Sequence, residues 1–466
     1  MLFSSIPFIF LFLPITWCAY FGLGKLFNHT VAKVWLVLAC LFFYGWFNPP
    51  YLWIICSSVI VNYLLAEAMG HSGAGARKCC FWLGLLFNLG MIGYYKYYDF
   101  FIGTVNSVFG QSFALKHILL PLGISFFTFQ QMSYLYDIWS GNLKKNYSLL
   151  DYTLFVTFFP QLIAGPIVLP QEMMPQFADK NNQHVNYSNC AAGLYLFSIG
   201  FVKKIIFADF FAIWANEGFA ANRICMFDAW LAMIGYTYQL YFDFSGYCDM
   251  AIGLGRMFNI KIPLNFNSPY KSGSIQEFWR NWHITLGRFL TTFVYIPLGG
   301  SKKGIFRTLF NLMVTFLVSG LWHGASWLFI IWGALHGIAI CIHRIWSKAL
   351  KLKMPAFPAI ALTFLFVGFA FVIFRAENMA EALKIYKGMF DFSTIKMMNS
   401  EYWHQCSSSS LFMFIVGSLM LFACPNAATR IDDFKPSVRN AVFTVLLFVA
   451  GVFTLNRLSP FIYFNF

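Results

Sequence analysis

The chain has 466 residues, of which 59% are hydrophobic and 11% charged, and phenylalanine alone contributes 58. A soluble globular protein carries about 25% charged and about 45–50% apolar residues, so the composition excludes a disordered polar chain, a coiled coil and an ordinary water-soluble enzyme, and points to a surface facing lipid. The net charge of +14 is gathered in short clusters between apolar stretches: Arg77-Lys78, Lys144-Lys145, Lys302-Lys303, and the run from Arg344 to Lys353. Inner-face membrane loops look like this, and no basic stripe with interleaved aromatics suggests nucleic acid.

Taken in chain order, apolar segments of crossing length fall at 2–24, 31–47, 51–69, 80–102, 116–138, 150–168, 190–211, 228–252, 308–325, 327–346, 358–374, 409–424 and 438–456. A span needs about 20 apolar residues, and allowing for re-entrant pieces the reading is an all-α polytopic membrane protein of about 11 spans. It forms one membrane domain, 1–466, with the core segment at 241–346. The first segment lacks a basic start and an A-x-A cleavage pattern, so it reads as a transmembrane helix and not a cleaved signal. Lys25 and Lys33 follow the first segment, Asn48-Pro49-Pro50 carries no charge, and Arg77 and Lys78 come next. That alternation places the N-terminus outside. The eleven cysteines are scattered, and Cys79-Cys80 has no metal-binding spacing, so they read as small apolar filler with no metal or disulfide implied. Apart from Ser407–Ser410 the chain shows neither a low-complexity tract nor an internal repeat.

The stretch 256–306 differs from the rest. It is broken by Pro263, Pro269, Gly273, Pro297 and Gly299-Gly300, and it carries Arg256, Lys261, Lys271, Arg280, Arg288, Lys302 and Lys303. Irregular backbone at membrane depth survives only when buried in protein or lining a cavity, so a site is expected here.

Histidines in apolar segments are the leading candidates, because ionisable groups at membrane depth are costly and commonly functional. His323 stands in Ser319-Gly320-Leu321-Trp322-His323-Gly324, 16 residues past Arg307. At 1.5 Å per residue it lies about 24 Å into a hydrocarbon layer about 30 Å thick, near the turn of a helical hairpin. A neutral imidazole there is suited to act as general base toward a hydroxyl; the competing reading is a core histidine satisfied by neighbouring helices. His283, in Phe278-Trp279-Arg280-Asn281-Trp282-His283, is either a second functional histidine or part of an interfacial Trp/Arg belt. His336, 13 residues past His323 and on another helical face, reads as structural. Asp243, Ser245 and Asp249 place two carboxylates and a hydroxyl in an apolar run; they read as a structural network with Arg256 or Arg280, or as the lining of a hydrophilic funnel. No P-loop, GxGxxG or GxSxG is present, and neither histidine has an aspartate five residues on.

Several motifs together resemble one family. These are Phe159-Pro160-Gln161-Leu162-Ile163-Ala164-Gly165-Pro166-Ile167, Tyr241-Phe242-Asp243-Phe244-Ser245-Gly246-Tyr247, Asn265-Phe266-Asn267-Ser268-Pro269-Tyr270, Phe278 to His283, Tyr295-Ile296-Pro297-Leu298-Gly299-Gly300, Trp322-His323-Gly324 and the aromatic end Phe461 to Phe466. In order and spacing they resemble the membrane-bound O-acyltransferases, in particular the alginate O-acetyltransferase branch. The resemblance implies tilted helices around a thinned centre, with His323 as catalytic histidine and His283 as the second functional histidine. It also implies a cytoplasmic thioester donor, acetyl-CoA, with no bound cofactor or metal. A partner of the SGNH-hydrolase type outside the membrane would place the acetyl group on a polysaccharide, in a bacterial cytoplasmic membrane. Trp279, Arg280, Asn281, Trp282 and Trp322 would support the substrates. Two departures stand out: relatives usually have Arg at the position of Asn281 and an Arg-Asp pair at Thr291-Thr292. D-alanyl transfer to teichoic acid, a transporter or flippase without covalent chemistry, and a scaffold for an envelope synthase are the alternatives. The D-alanyl transfer proteins usually lack Pro297-Leu298-Gly299-Gly300, which favours acetyl transfer to a glycan.

Overall fold

Apolar runs in this chain become helices until a proline or a close backbone approach stops them. The computed structural model describes residues 1–143, 147–349, 354–395, 408–455 and 462, and helices and turns account for its regular structure, with no strand among the described residues. The Lys144-Lys145 pair, the basic run from residue 350 to 353, Ser407 and the aromatic C-terminal run 461–466 except Ile462 lie outside the described residues. The helices used below are α1 (Leu13–Leu26), α2 (His29–Gly45), α3 (Tyr51–His71), α4 (Ala74–Ile92), α5 (Tyr98–Phe109), α6 (Ile124–Ser140), α7 (Leu149–Thr157), α8 (Phe159–Leu162), α9 (Pro170–Ala178) and α10 (Tyr187–Val202). They continue as α11 (Asp209–Ala220), α12 (Met226–Met257), α13 (Ile275–Asn281), α14 (Ile284–Leu290), α15 (Gly304–His323), α16 (Trp327–Arg344), α17 (Ala356–Arg375), α18 (Met379–Met389), α19 (Ser408–Phe422) and α20 (Val438–Phe453).

Among the described residues, five helical stretches have the length and apolar composition to cross a bilayer: Phe8–Leu26, Tyr51–His71, Gly304–His323, Trp327–Ser347 and Ala356–Arg375. Other expected spans depart from single straight helices for visible reasons. The 116–138 segment is helical only from Ile124, because Pro121 lacks an N–H and Gly123 adopts φ +70°, where a Cβ would sit 2.8 Å from the Leu162 carbonyl oxygen. The 150–168 segment stops at Thr157 and restarts as the four-residue α8, whose second residue is Pro160. The 228–252 segment is longer than expected, since α12 runs 32 residues, about 48 Å at 1.5 Å per residue.

The chain forms two compact units. The first comprises 1–199, 247–263 and 433–447, and the second 200–246, 264–432 and 448–466. The first unit packs α1 to α7 and α9 around clustered rings: Phe3 stacks 5.6 Å from Phe43 and 4.8 Å from Tyr247, and Phe159 meets Phe258 edge-on at 5.8 Å. It also holds a buried ion pair, Lys33 to Asp151 at 2.5 Å, where Ser148 donates to the other carboxylate oxygen. Asn28, Ser148, Ser274, Ser326 and Asn378 cap the N-termini of α2, α7, α13, α16 and α18 with their side-chain oxygens.

The second unit centres on the hairpin of α15 and α16. Gly320 and Gly333 bring the two backbones so close that a Cβ on Gly320 would sit 2.2 Å from the Phe329 carbonyl oxygen, and one on Gly333 would sit 2.4 Å from that of Phe316. Small residues at such a crossing let membrane helices gain van der Waals contact without any hydrophobic drive between them. The hairpin is therefore fixed in rotation and register, and with it every side chain that either helix carries. The irregular stretch expected before it is present as short pieces: Pro269–Lys271, α13, α14 and the π-helical turn Thr291–Tyr295.

Candidate active site

His323 is the last residue of α15, at the hairpin turn as its spacing from Arg307 implied, and it is 2% exposed. Its ring is enclosed by rings: Trp322 at 5.0 Å, Trp332 at 5.0 Å, Phe374 at 5.3 Å and His283 at 6.4 Å between centroids. The walls are aromatic edges and faces; Trp332 comes from α16 and Phe374 from α17.

His283 reaches this place through a strained backbone. It joins α13 to α14 with φ +46° and ψ +51°, a left-handed conformation that a side chain bearing a Cβ rarely adopts. Asn265 holds it there. The Asn265 carbonyl accepts from Ile284 N at 2.9 Å, and its side-chain oxygen accepts from Thr285 N at 3.2 Å and Thr285 Oγ1 at 2.8 Å. The same oxygen lies 3.2 Å from His283 Nδ1. An amide oxygen only accepts, so in the neutral ring Nδ1 carries the proton and Nε2 keeps its lone pair. Nε2 is buried and has no hydrogen-bond partner. The centroids of the His283 and His323 rings lie 6.4 Å apart, with the ring planes at 65° to each other.

His336, expected to be structural, belongs to the same ring system. Trp279 Nε1 donates to its Nδ1 at 3.2 Å, and Trp332 packs against it at 4.6 Å. The series His323, Trp332, His336, Trp279 is continuous through ring contacts, although 13 residues put the two histidines on different helices. Trp282 faces away from this series, buried against Phe278, Tyr270, Phe266 and Phe371. Asn281 donates to Ser272 Oγ at 3.3 Å and accepts from Asn267 N at 2.9 Å, which ties the end of α13 to the preceding loop.

The acids are placed differently. Asp243 pairs with Lys204 at 2.5 Å, not with Arg256 or Arg280, and also accepts from Ile462 N at 2.8 Å. Lys204 lies in the π-helical turn Lys203–Ala208, which sequence periodicity did not reveal as a partner. Ser245 is buried with its hydroxyl unbonded, on the helix whose Phe244 packs 4.9 Å from His283. Asp249 falls in the first unit.

A cavity of about 570 Å³ lies among α13, α14, α15 and α16. Arg280, Thr291 and Ser301 are on its exposed rim, and Arg288, His343 and Arg344 are half-buried in its wall. Leu312, Thr315, Phe316 and Ser319 line it from α15, a helical stripe whose next member is His323. Of the α15 residues that line it, Ser319 stands one turn before His323. Sequence reading passed over Asn265, Arg288, Ser319, Trp332 and Arg344 as site residues. Asn265 sits in an extended loop with no periodic signal, and Ser319 looked like any helix serine. Arg288 and Arg344 were noted only as charge. No cluster of metal-binding side chains occurs among the described residues.

The arrangement has a buried pair of imidazoles and, lined in part by the same helix α15, a cavity that also carries arginines. Comparison with known proteins agrees with it. A model of the membrane-bound O-acyltransferase family matches residues 124–381. The peptidoglycan O-acetyltransferase of Helicobacter pylori is 42% identical, over 100% of this chain and 98% of its own. The probable alginate O-acetylase AlgI of Pseudomonas aeruginosa is 40% identical, over 90% of this chain and 80% of its own. The teichoic acid D-alanyltransferase of Bacillus subtilis is 29% identical, over 55% of this chain and 69% of its own. The motif resemblance, the match across the histidine region and likeness over the whole length lead to one conclusion: this chain belongs to the membrane-bound O-acyltransferase family, and it is an O-acyltransferase.

Proposed function

We propose that the protein takes an acetyl group from a cytoplasmic thioester, acetyl-CoA, and passes it across a bacterial cytoplasmic membrane for O-acetylation of a cell-envelope or secreted polysaccharide. One observation carries the reading. His323 and His283 are buried 6.4 Å apart, His323 one helical turn past Ser319 of a cavity that Arg280, Arg288 and Arg344 make basic. Guanidinium groups bind phosphates by charge-assisted, bidentate hydrogen bonds, so the phosphate-bearing end of the donor rests at the arginines and its thioester points along α15 toward His323. The imidazole of His323 takes the proton of an incoming hydroxyl as the oxygen attacks the thioester carbonyl carbon. The carbon–sulfur bond then breaks, and the proton goes to the departing thiolate. His283, with its Nε2 lone pair, accepts from the same hydroxyl and aims it. Trp279 and Trp322 shape the pocket, Trp282 anchors the end of α13 from behind, Asn281 fixes the loop beneath it, and Asp243, Ser245 and Asp249 support helix α12.

The wider placement belongs to the same proposal: about 11 spans, the N-terminus outside, and a single functional membrane domain with its core at 241–346. An SGNH-hydrolase-like partner outside the membrane would deliver the acetyl group to the glycan. Acetyl is favoured over D-alanyl by extent of likeness, since the O-acetyl-transferring relatives match over 90–100% of this chain and the D-alanyltransferase over 55%. The test is mass spectrometry of envelope and secreted glycans from a deletion strain complemented with wild type or His323→Ala, alongside acetyl-CoA-dependent thiol release by the purified protein. Acetyl esters should return only with wild type. Full acetylation by an expressed His323→Ala protein removes the reading, and uptake of a solute without thiol release supports a transporter instead.

A further inference from the structure

Three side-chain hydroxyls lie along one side of α15. Thr308 donates to the Gly304 carbonyl at 2.8 Å and Thr315 to the Asn311 carbonyl at 2.7 Å, the usual closure of a helix hydroxyl on the residue four back. Ser319 does not close. Its Oγ is buried, the residue is 2% exposed, it has no hydrogen-bond partner, and it lines the basic cavity. A buried hydroxyl without a partner is costly unless something else satisfies it. The adjacent Gly320 locks this part of α15 against α16 at 2.2 Å Cβ-equivalent clearance, so the backbone of Ser319 is held on the cavity side of the helix.

Its position along the helix suggests what satisfies it. Ser319 and His323 are four residues apart, on one face, with a rise of about 6 Å between them. In a pantetheine thioester, two methylenes separate the sulfur from the first amide, which places the amide group about 4–6 Å from the sulfur along an extended chain. With the thioester at His323 and the chain running back down the cavity, that amide falls beside the Ser319 hydroxyl, which both donates and accepts. From this the geometry points to Ser319 as the residue that reads the amide next to the thioester, a donor-binding residue that selects pantetheine thioesters over simple ones. The inference rests on the transfer reading above and adds a substrate class to it: thioesters with an amide two carbons from sulfur, whether on coenzyme A or on a carrier protein.

The experiment pairs two donors with two proteins. S-acetyl-N-acetylcysteamine carries the amide; S-butyl thioacetate has similar length without it. Wild type and Ser319→Ala are purified, their thermal midpoints compared, and kcat/KM for thiol release measured with each donor. Loss of one neutral hydrogen bond should lower kcat/KM for the amide-bearing donor about 3–10-fold, with less than about a 2-fold change for the amide-free donor. Ser319→Thr, which keeps the hydroxyl, should retain the discrimination. Equal losses with both donors, or no loss with the amide-bearing one, overturn the assignment of Ser319 while leaving transfer chemistry intact. Acetyl-CoA is assayed alongside: no thiol release from it by wild type overturns the transfer reading, and this inference with it, whereas release from acetyl-CoA with turnover of neither short donor overturns the assignment of Ser319 alone.

Discussion

Around Asn62, in the first unit, amides and hydroxyls close on one another. Asn62 Nδ2 donates to Gln131 Oε1 at 2.8 Å and to the Ser58 carbonyl at 2.9 Å, Asn88 Nδ2 donates to Asn62 Oδ1 at 2.6 Å, Gln131 Nε2 donates to Ser58 Oγ at 2.9 Å, and the Tyr152 hydroxyl donates to Gln131 Oε1 at 3.1 Å. No side-chain nitrogen or oxygen of these residues is left without a partner. Around His283 and His336, in the second unit, the same degree of burial leaves His283 Nε2, His336 Nε2, Trp332 Nε1 and Ser319 Oγ unbonded. Both clusters sit among apolar helices. The first is polar glue, whose members spend their capacity on each other. The second keeps capacity in reserve, as a place built to receive polar substrate groups does.

The comparison breaks most sharply at His323. Removing a general base costs about 10²–10⁴-fold in rate, so His323→Ala should lose acyl transfer by that factor while its thermal midpoint stays near wild type; a fully active variant would make the second cluster merely structural. Next is Asn265→Ala, which removes the acceptor that holds His283 in its left-handed turn. We expect about a 10–100-fold fall in kcat from the loss of hydrogen bonds that position His283, with Asn265→Asp recovering part of it. Arg288→Gln with Arg344→Gln should then raise the KM for acetyl-CoA about 10-fold or more, in line with loss of a hydrogen bond to a charged group, and barely change turnover of S-acetyl-N-acetylcysteamine, which has no phosphate. The smallest effect on catalysis should come from the first cluster. Asn62→Ala leaves Asn88 and Gln131 short of partners and should cost about 1–3 kcal/mol of stability, seen as a lower melting temperature, with activity per folded molecule unchanged.

Much of the site was legible because its residues are improbable where they stand. A histidine in Trp322-His323-Gly324 and another in Trp282-His283, within a chain that is 11% charged, mark themselves by cost alone. The hairpin position of His323 followed from counting helical rise past Arg307. His336, read as structural, stands in the same ring system as His323, a proximity that helical periodicity does not give. The face rule compares residues on one helix, whereas Gly324 and the capped start of α16 at Ser326 separate the two histidines onto neighbouring helices that a glycine crossing brings together. Asp243 was expected to meet an arginine, but its partner Lys204 comes from a π-helical turn that shifts the phase of the α10–α11 segment.

From the sequence alone came what depends on local chemistry and on cost: an apolar all-helical chain, the broken stretch before residue 306, and two histidines singled out as candidates because an ionisable group is costly in an apolar segment. Tertiary structure decided which groups meet. It turned His283 through a left-handed bend pinned by Asn265, placed Trp332 and Phe374 against His323, and opened a basic cavity lined by an unbonded serine. Those outcomes depend on close approach between segments far apart in the chain, set by glycine contacts and aromatic packing, and neither residue identity nor spacing encodes such distances.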